Sequence, residues 1–154
     1  MPAVTVGRKL VHVPREAYAD ALCPDKHVFL VGDLKQPTNY PFIAEPRLEL
    51  AMCAYEAGDD GRPHWHAGVT EYELVITGRI GYRDIAANAV IWAGSGDFLL
   101  VPAGVCAQRL VPERSATVAV KVPSSPEKTH CDACPRDCRY RVAGSVAGAQ
   151  PHEN

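Results

Sequence analysis

The sequence predicts an all-β domain, an antiparallel β-barrel or double-sheet jelly roll. Short β-rich runs follow one another between residues 47 and 122, and turn sequences such as 57–63 and 93–97 separate them. Proline and glycine are frequent, at 13 and 12 of 154 residues, and this favours short elements with many turns. A coiled coil or a helical bundle is therefore largely excluded.

The length of the chain fits one domain, which divides into three segments. Residues 1–46 are expected to pack on the barrel and to contain a short helix at 14–22, with a proline in its first turn, and a β-rich run at 26–31. Residues 47–122 would form the barrel. Residues 123–154 combine a linker, a cysteine-rich metal-binding tail and a polar C-terminus that we expect to be disordered.

The predicted barrel strands are short and are punctuated by turn residues. The run from Arg47 to Glu56 alternates weakly between apolar and polar residues. The next two strands flank Thr77 and Gly78, which predicts a β-hairpin at this point. The strands predicted after the first are 70–76, 79–85, 89–92, 98–101, 105–111 and 116–122.

Charge and hydropathy argue against two classes of partner. The chain has 16 basic and 18 acidic residues, a net charge of −2, so it lacks the basic excess that binds nucleic acid or anionic membranes. No stretch approaches the ~18 apolar residues of a membrane span, and the start shows no secretory signal pattern. We therefore expect no nucleic acid, no membrane and a cytoplasmic location. In that compartment six cysteines are expected to be thiols or metal ligands before disulfides.

Two histidines and a glutamate form the most informative cluster in the sequence. His64 and His66 are two residues apart, so on a strand they share one face while Trp65 points to the other. The chain can bend at 67–70, which lets Glu71 return to the same pocket. Two imidazoles and one carboxylate suit Fe(II) with positions left open for substrate and O₂, and the same set can hold Mn, Ni, Cu or Zn.

Glycines on both sides of this cluster complete a longer motif, Gly58-x5-His64-x-His66-x4-Glu71-x6-Gly78. It resembles the first conserved motif of the cupin family, with every position filled. A later segment, Gly96-x5-Pro102-x-Gly104, resembles the second cupin motif. Ala107 stands at the histidine position of that second motif, and Val111 stands at its asparagine position.

The cupin resemblance covers about residues 47–122 and implies a small β-barrel of two facing sheets, with the ligands inside one open end and a homodimer as the default. The family usually holds its metal with three histidines and one glutamate. Here only His64, His66 and Glu71 carry over, so the site would either hold a metal with three ligands or be the remnant of a site that has lost it. Cys106 and Gln108 adjoin the gap, and either could fill it if a bulge turned the side chain inward.

Strand alternation indicates further cavity residues. Glu73 shares a face with Glu71, and Arg109 shares a face with Ala107. Arg109 would pair with Glu73, grip a substrate carboxylate or phosphate, or simply reach solvent at the mouth of the barrel. The candidate substrate-binding residues are Arg109 and Gln108, and the candidate acid/base or orienting residues are Glu73, Tyr55 and Tyr82.

A second candidate metal site lies in the tail, in the pattern Cys131-x2-Cys134-x3-Cys138. The Cys-x2-Cys spacing lets two thiolates meet one ion and Cys138 adds a third, so we expect structural zinc here. The fourth ligand is left open between His130, a residue from the N-terminal segment and a partner subunit. The alternatives are reduced thiols, a Cys131–Cys134 redox pair and an iron–sulfur cluster, for which a fourth nearby cysteine is lacking.

These features favour a metal-binding protein that acts on a small organic substrate. A non-haem, dioxygenase-type oxidoreductase is the leading interpretation, because a site of two histidines and one carboxylate leaves room for both reactants. The alternatives are a non-catalytic small-molecule binding or sensing module and a metal-dependent isomerase or lyase. Fold alone does not decide among them.

Overall fold

Two β-sheets make up most of the described part of the chain, which is residues 4–5, 10–22, 26–34 and 38–131 of a computed structural model. The strands are β1 (Val4–Thr5), β2 (Lys26–Gly32), β3 (Ile43–Ala44), β4 (Glu49–Tyr55), β5 (His64–Trp65), β6 (Thr70–Thr77), β7 (Arg79–Asp84), β8 (Ala89–Gly94), β9 (Phe98–Val101), β10 (Ala107–Leu110), β11 (Ser115–Val122) and β12 (Thr129–His130).

The two sheets form an open jelly roll. Within the described residues the larger sheet has seven strands in the order β1-β3-β2-β4-β11-β6-β9, and the smaller has five in the order β12-β5-β10-β7-β8. Strand β3 pairs in parallel with β1 and β2, and the other pairs are antiparallel. The predicted all-β fold is confirmed, although the barrel does not close.

The turn at Gly78 does not make the predicted hairpin. Strand β6 pairs with β9 and β11 in the larger sheet, whereas β7 pairs with β8 and β10 in the smaller one. The hairpin prediction was therefore wrong. Gly78 adopts a φ of +77°, which glycine tolerates at little cost, and here it carries the chain from one sheet to the other.

The short helix predicted at 14–22 is also corrected. The segment forms two separate 3₁₀ turns, Arg15–Ala17 and Ala19–Ala21. Tyr18 lies between them with a φ of −133°, which is outside the helical range, and neither turn has a side-chain cap or a buried residue. Without a buried face there is little to stabilise a continuous helix.

Apolar side chains from both sheets meet in the core. Strand β4 alternates between buried and half-buried residues along its whole length, as expected for a strand with one face inward. The core cluster consists of Ala51, Cys53, Tyr55, Val75, Ile80, Ala93, Leu99 and Val111. This core fixes the two sheets against each other, and the candidate site lies between them at one end.

Strands from outside residues 47–122 extend both sheets. Strand β2 pairs with β4 in the larger sheet, and β12 pairs with β5 in the smaller one. Within the described residues, no helix is long and apolar enough to cross a membrane. The homodimer stays a prediction.

Replacing Gly78 with alanine is expected to destabilise the fold by about 2–4 kcal/mol. A Cβ at this position would lie 2.3 Å from the carbonyl oxygen of Arg114, in addition to the strain of a positive φ. Urea unfolding measures the loss. Gly96→Ala is the matched control, since Gly96 has a φ of +87° but nothing within 4 Å of the added Cβ, and it should lose only about 1–2 kcal/mol. Equal losses in the two variants would contradict the proposed clash.

Candidate metal centre

The loop before β5 presents the two histidines at the open end of the jelly roll. Backbone hydrogen bonds tie this loop to the far end of β10, from Gly58 to Val111 and from Gly61 to Arg109, at 2.8 and 2.9 Å. His64 then begins β5 in the smaller sheet. The spacing from Gly58 to His64 thus corresponds to a loop that follows β10 closely and delivers the histidines to its other end.

The structure brings the three predicted barrel ligands together. His64 and His66 come from the smaller sheet, and Glu71 comes from β6 in the larger sheet. One possible ligand atom from each residue lies within 4.8 Å of the others. The two histidine rings are 5.2 Å apart, nearly perpendicular to each other. The site therefore bridges the two sheets, rather than lying on one of them.

Backbone carbonyl groups set the tautomer of both histidines. Nδ1 of His64 donates to the carbonyl oxygen of Arg62 at 2.8 Å, and Nδ1 of His66 donates to the carbonyl oxygen of Glu127. A carbonyl oxygen only accepts, so the proton of each neutral ring sits on Nδ1. In each ring Nε2 is left with a lone pair, which is the arrangement that a metal-binding histidine uses.

One contact within the cluster requires a positive charge. Nε2 of His66 lies 3.0 Å from Oε1 of Glu71, yet within the described residues this buried nitrogen has no hydrogen-bonding partner of good geometry. In the neutral tautomer both atoms are acceptors, and they repel each other unless a proton or a cation lies between them. Two ligands that bind one octahedral ion at about 2.1 Å and at a right angle are about 3.0 Å apart. The donor set therefore fits a divalent metal ion.

The ionisation of the cluster also suits a metal. Burial by itself would raise the pKa of Glu71, but a hydrogen bond from the protonated form of His66 and the charge of Lys121 outweigh burial and lower the pKa to about 2. Lys121 Nζ lies 3.5 Å from Glu71 and 3.6 Å from Glu49. Burial lowers the pKa of His64, which keeps that ring neutral. A carboxylate and a neutral imidazole are the forms that bind metal.

A small cavity adjoins the three candidate ligands. Its volume is about 10 Å³, close to the space that one water molecule requires. Ala107 lines it and pairs with His64 across the strands β10 and β5. The side-chain position opposite His64 is therefore occupied by a methyl group. The remaining lining residues are Trp65, Val69, Tyr82, Val101, Pro102 and Val105.

Of the three candidate acid/base residues, Tyr82 is the one that lines the cavity. Glu73 is buried behind it and accepts hydrogen bonds from Tyr82 at 2.5 Å, from Thr117 at 2.5 Å and from Tyr55 at 3.5 Å. Burial, followed by the charge of Glu73, raises the pKa of Tyr82 well above its usual value. Tyr82 is thus a protonated hydroxyl group, held in place by a carboxylate.

The two candidate substrate-binding residues do not line the cavity. The guanidinium of Arg109 lies 4.1 Å from the ring centre of Tyr55, and it donates to the Tyr55 hydroxyl and to the carbonyl oxygen of Asp59, each at 3.3 Å. Arg109 was predicted to pair with Glu73, to grip a substrate carboxylate or phosphate, or to reach solvent. The observed position, a half-buried guanidinium stacked on Tyr55, is none of these three. Gln108 accepts from Arg83 at 3.4 Å. A substrate role for either residue would need a larger opening than the described cavity.

A disulfide replaces two of the expected thiols. Cys106 is bonded to Cys131, with their Cα atoms 6.8 Å apart. The pairing corrects the prediction that Cys131 is a thiolate ligand in the tail, and it removes Cys106 as a fourth ligand of the barrel site. Strand β12 runs beside β5 and so returns the tail to the loop before β10, which local spacing does not reveal. Cys134 and Cys138 lie outside the described residues, so their part in a zinc site stays a prediction.

Three contributors to the site were missed by sequence reasoning. Lys121 faces Glu71 and Glu49 because β11 pairs with both β6 and β4 in register. Alternation of side chains along a strand could have predicted which face of β11 Lys121 occupies. No local pattern in the sequence indicates the carbonyl of Glu127 or the disulfide partner of Cys106, because the positions of both depend on the return of the tail.

Comparisons with solved structures identify a shared fold. An uncharacterized conserved protein with a double-stranded β-helix domain from Klebsiella pneumoniae matches with a TM-score of 0.51 and 18% identity, over 56% of this chain and 71% of that chain. DMSP lyase DddQ from Ruegeria pomeroyi matches with a TM-score of 0.55 and 17% identity, over 72% of this chain and 53% of that one. An RmlC-like cupin from Shewanella frigidimarina matches with a TM-score of 0.48 and 17% identity, over 53% of this chain and 71% of that one.

The likeness extends to the fold alone. No protein-family model matches the chain, and no curated protein matches its sequence. The chain spans about half the length of the lyase. What the chain does must therefore be argued from its own residues.

Proposed function

We propose that this chain, which has the cupin fold, is a metal-dependent enzyme for a small organic substrate, in the first place a dioxygenase-type oxidoreductase. The contact between His66 and Glu71 carries the proposal. Nε2 of the buried His66 and Oε1 of the half-buried Glu71 lie 3.0 Å apart, and a divalent cation satisfies both acceptors. Fe(II) is the favoured ion, while Mn, Ni, Cu and Zn suit the same ligands.

His64, His66 and Glu71 would hold the metal, and each has a structural feature that prepares it. The two Nδ1–H groups are engaged by backbone carbonyls, and Lys121 holds the carboxylate. Ala107, opposite His64, has no side-chain atom that could bind the metal, so it would not compete with a substrate there. A metal bound there would supply Lewis acidity and a place for substrate and O₂ to meet.

The chain's own residues would orient the substrate and limit access of water. Val69, Val101 and Val105 line the cavity and present apolar walls. Tyr82 supplies a hydroxyl group whose proton points to Glu73 at 2.5 Å, so its oxygen can accept a hydrogen bond from a substrate group. The cavity of about 10 Å³ must open further to admit an organic molecule.

Metal-dependent lyase or isomerase chemistry is the second candidate function. The observation that favours it is the pairing of Tyr82 with the buried Glu73, since a hydroxyl backed by a carboxylate is suited to proton transfer. The two reactions differ in a measurable way, because oxygenation consumes O₂ and elimination or isomerisation does not.

Metal content tests the proposal. Protein stripped with a chelator and reloaded with Mn(II), a hard ion that thiolates bind poorly, should hold one ion per chain. His64→Ala should lose it. His12→Ala is the matched control, since His12 is exposed and far from the cluster in sequence, and it should load like the wild type. Equal loading of the wild type and His64→Ala would overturn the metal site.

The reaction class is tested on the metal-loaded protein. Loaded with Fe(II), the chain should consume O₂ in the presence of one or more members of a panel of small carboxylic acids and diols, and His64→Ala should not. Product formation without O₂ consumption would favour the lyase or isomerase. Ligand-dependent thermal stabilisation without turnover under any metal would favour the non-catalytic binding module.

A further inference from the structure

A five-residue segment of the tail crosses the candidate metal centre. We call residues 127–131 the strap. Its carbonyl at Glu127 accepts the hydrogen bond from Nδ1 of His66. Its strand β12 pairs with β5, with Thr129 opposite Trp65 and His130 opposite His64.

Each of these strap contacts is made with the short stretch 63–66 that carries both histidines. The amide of Cys131 adds another, donating to the carbonyl oxygen of Pro63 at 2.9 Å. On its other side β5 pairs with β10 at one register position, Ala107 with His64. Strand β12 therefore supplies much of the backbone pairing that holds the histidine-bearing strand in place.

The strap is anchored at both ends, and only one anchor is covalent. Upstream of it, Ser124 donates its amide to the carbonyl oxygen of Pro46 at 3.2 Å, and its hydroxyl accepts from the amide of Asp33 at 2.9 Å. Downstream, the buried Cys131 is joined to Cys106 in the loop before β10. Breaking that bond leaves the end beside His64 held by non-covalent contacts alone, among them the hydrogen bond from Cys131 to Pro63.

We propose that the Cys106–Cys131 disulfide is a redox-controlled latch, which holds the strap against the histidine-bearing strand and so makes metal affinity depend on the thiol–disulfide state. The proposal rests on the metal site put forward above. A dithiol reductant opens the latch. Its first thiolate attacks one sulfur of the disulfide and releases the other cysteine, and its second thiolate then displaces the first cysteine. Two cysteine thiols and one oxidised cyclic disulfide result, with two electrons and two protons passed to the protein.

The physical link from latch to metal is the hydrogen bond of His66. The carbonyl of Glu127 holds the proton on Nδ1 and so leaves the lone pair of His66 on Nε2, which lies 3.0 Å from Oε1 of Glu71. Loss of such an outer partner typically weakens metal binding by about 10–100-fold. A released strap can move this carbonyl away, and the ring is then free to rotate or to change tautomer.

The test compares Mn(II) affinity in the oxidised and reduced states. The protein carries Cys134→Ser and Cys138→Ser, so that tail thiols neither bind metal nor exchange with the latch. It is reduced with a phosphine, desalted without O₂ and titrated with Mn(II) in a calorimeter. We expect Mn(II) binding about 10–100-fold weaker after reduction. Adding Cys106→Ser or Cys131→Ser should give the weak affinity in both states, and reoxidation should restore tight binding only where both cysteines are present.

Two further measurements separate the possible failures. Peptide mapping of the oxidised wild type should find Cys106 linked to Cys131, and a Cys131–Cys134 link would overturn the latch.

Amide exchange of residues 127–131 should rise on reduction even in protein without metal. Unchanged exchange together with unchanged Mn(II) affinity would overturn the latch while leaving the metal site intact. No Mn(II) loading in the oxidised protein, or loading that His64→Ala leaves unchanged, would instead reject the metal site, and the exchange data would still decide whether the latch exists.

Discussion

Ala107→His is expected to tighten metal binding at least tenfold. Ala107 is buried, lines the cavity and pairs with His64 across strands β10 and β5. A histidine there would direct a third imidazole towards the two already present. The added ring must displace neighbouring side chains, at a cost of about 1–3 kcal/mol in stability.

Calorimetric titration with Mn(II) and the visible spectrum of the Co(II)-loaded protein measure the effect. Ala107→Leu is the matched control, because it adds a side chain of comparable bulk that cannot bind metal. Its affinity should equal that of the wild type or fall below it. Equal affinities for the histidine and leucine variants would show that the position does not face the metal.

Glu73→Ala is expected to destabilise the protein by about 3–5 kcal/mol. The substitution leaves the buried hydroxyls of Tyr82 and Thr117 without their acceptor. It also removes a negative charge near Arg109, whose guanidinium is bonded to Tyr55 within the same network. Burial, followed by the charge of Glu73, raises the pKa of Tyr55, so that its hydroxyl stays a donor at neutral pH.

Urea unfolding at neutral pH gives the free energy difference, provided that the denaturant slope is unchanged. Glu73→Gln retains one acceptor oxygen and should lose less than the alanine variant. Glu113→Ala removes an exposed carboxylate and should stay within about 0.5 kcal/mol of the wild type. A Glu73→Ala protein as stable as Glu113→Ala would mean that the buried network contributes no net stability.

Some features of the site could be predicted because they follow from local backbone geometry. Residues two apart on a strand share a face, which is enough to pair His64 with His66. A glycine at a positive φ marks a sharp change of direction, as at Gly78. Both properties depend on a few neighbouring residues, and short-range patterns in the chain report them directly.

Other features depend on which strands become neighbours, and local patterns do not encode that. Gly78 was predicted to turn a hairpin, but in the structure it carries the chain from the larger sheet to the smaller one. Glu71 faces the histidines from the opposite sheet because the chain also changes sheets between β5 and β6. The return of β12 beside β5 gives His66 a carbonyl partner 61 residues away and pairs Cys106 with Cys131. Contacts over such separations are selected by the packing of two whole sheets, because strand order decides which edges meet. The three candidate ligands could therefore be predicted from the chain, whereas their tautomers, the two carbonyl groups that support them and the proposed disulfide latch arise only in the folded molecule.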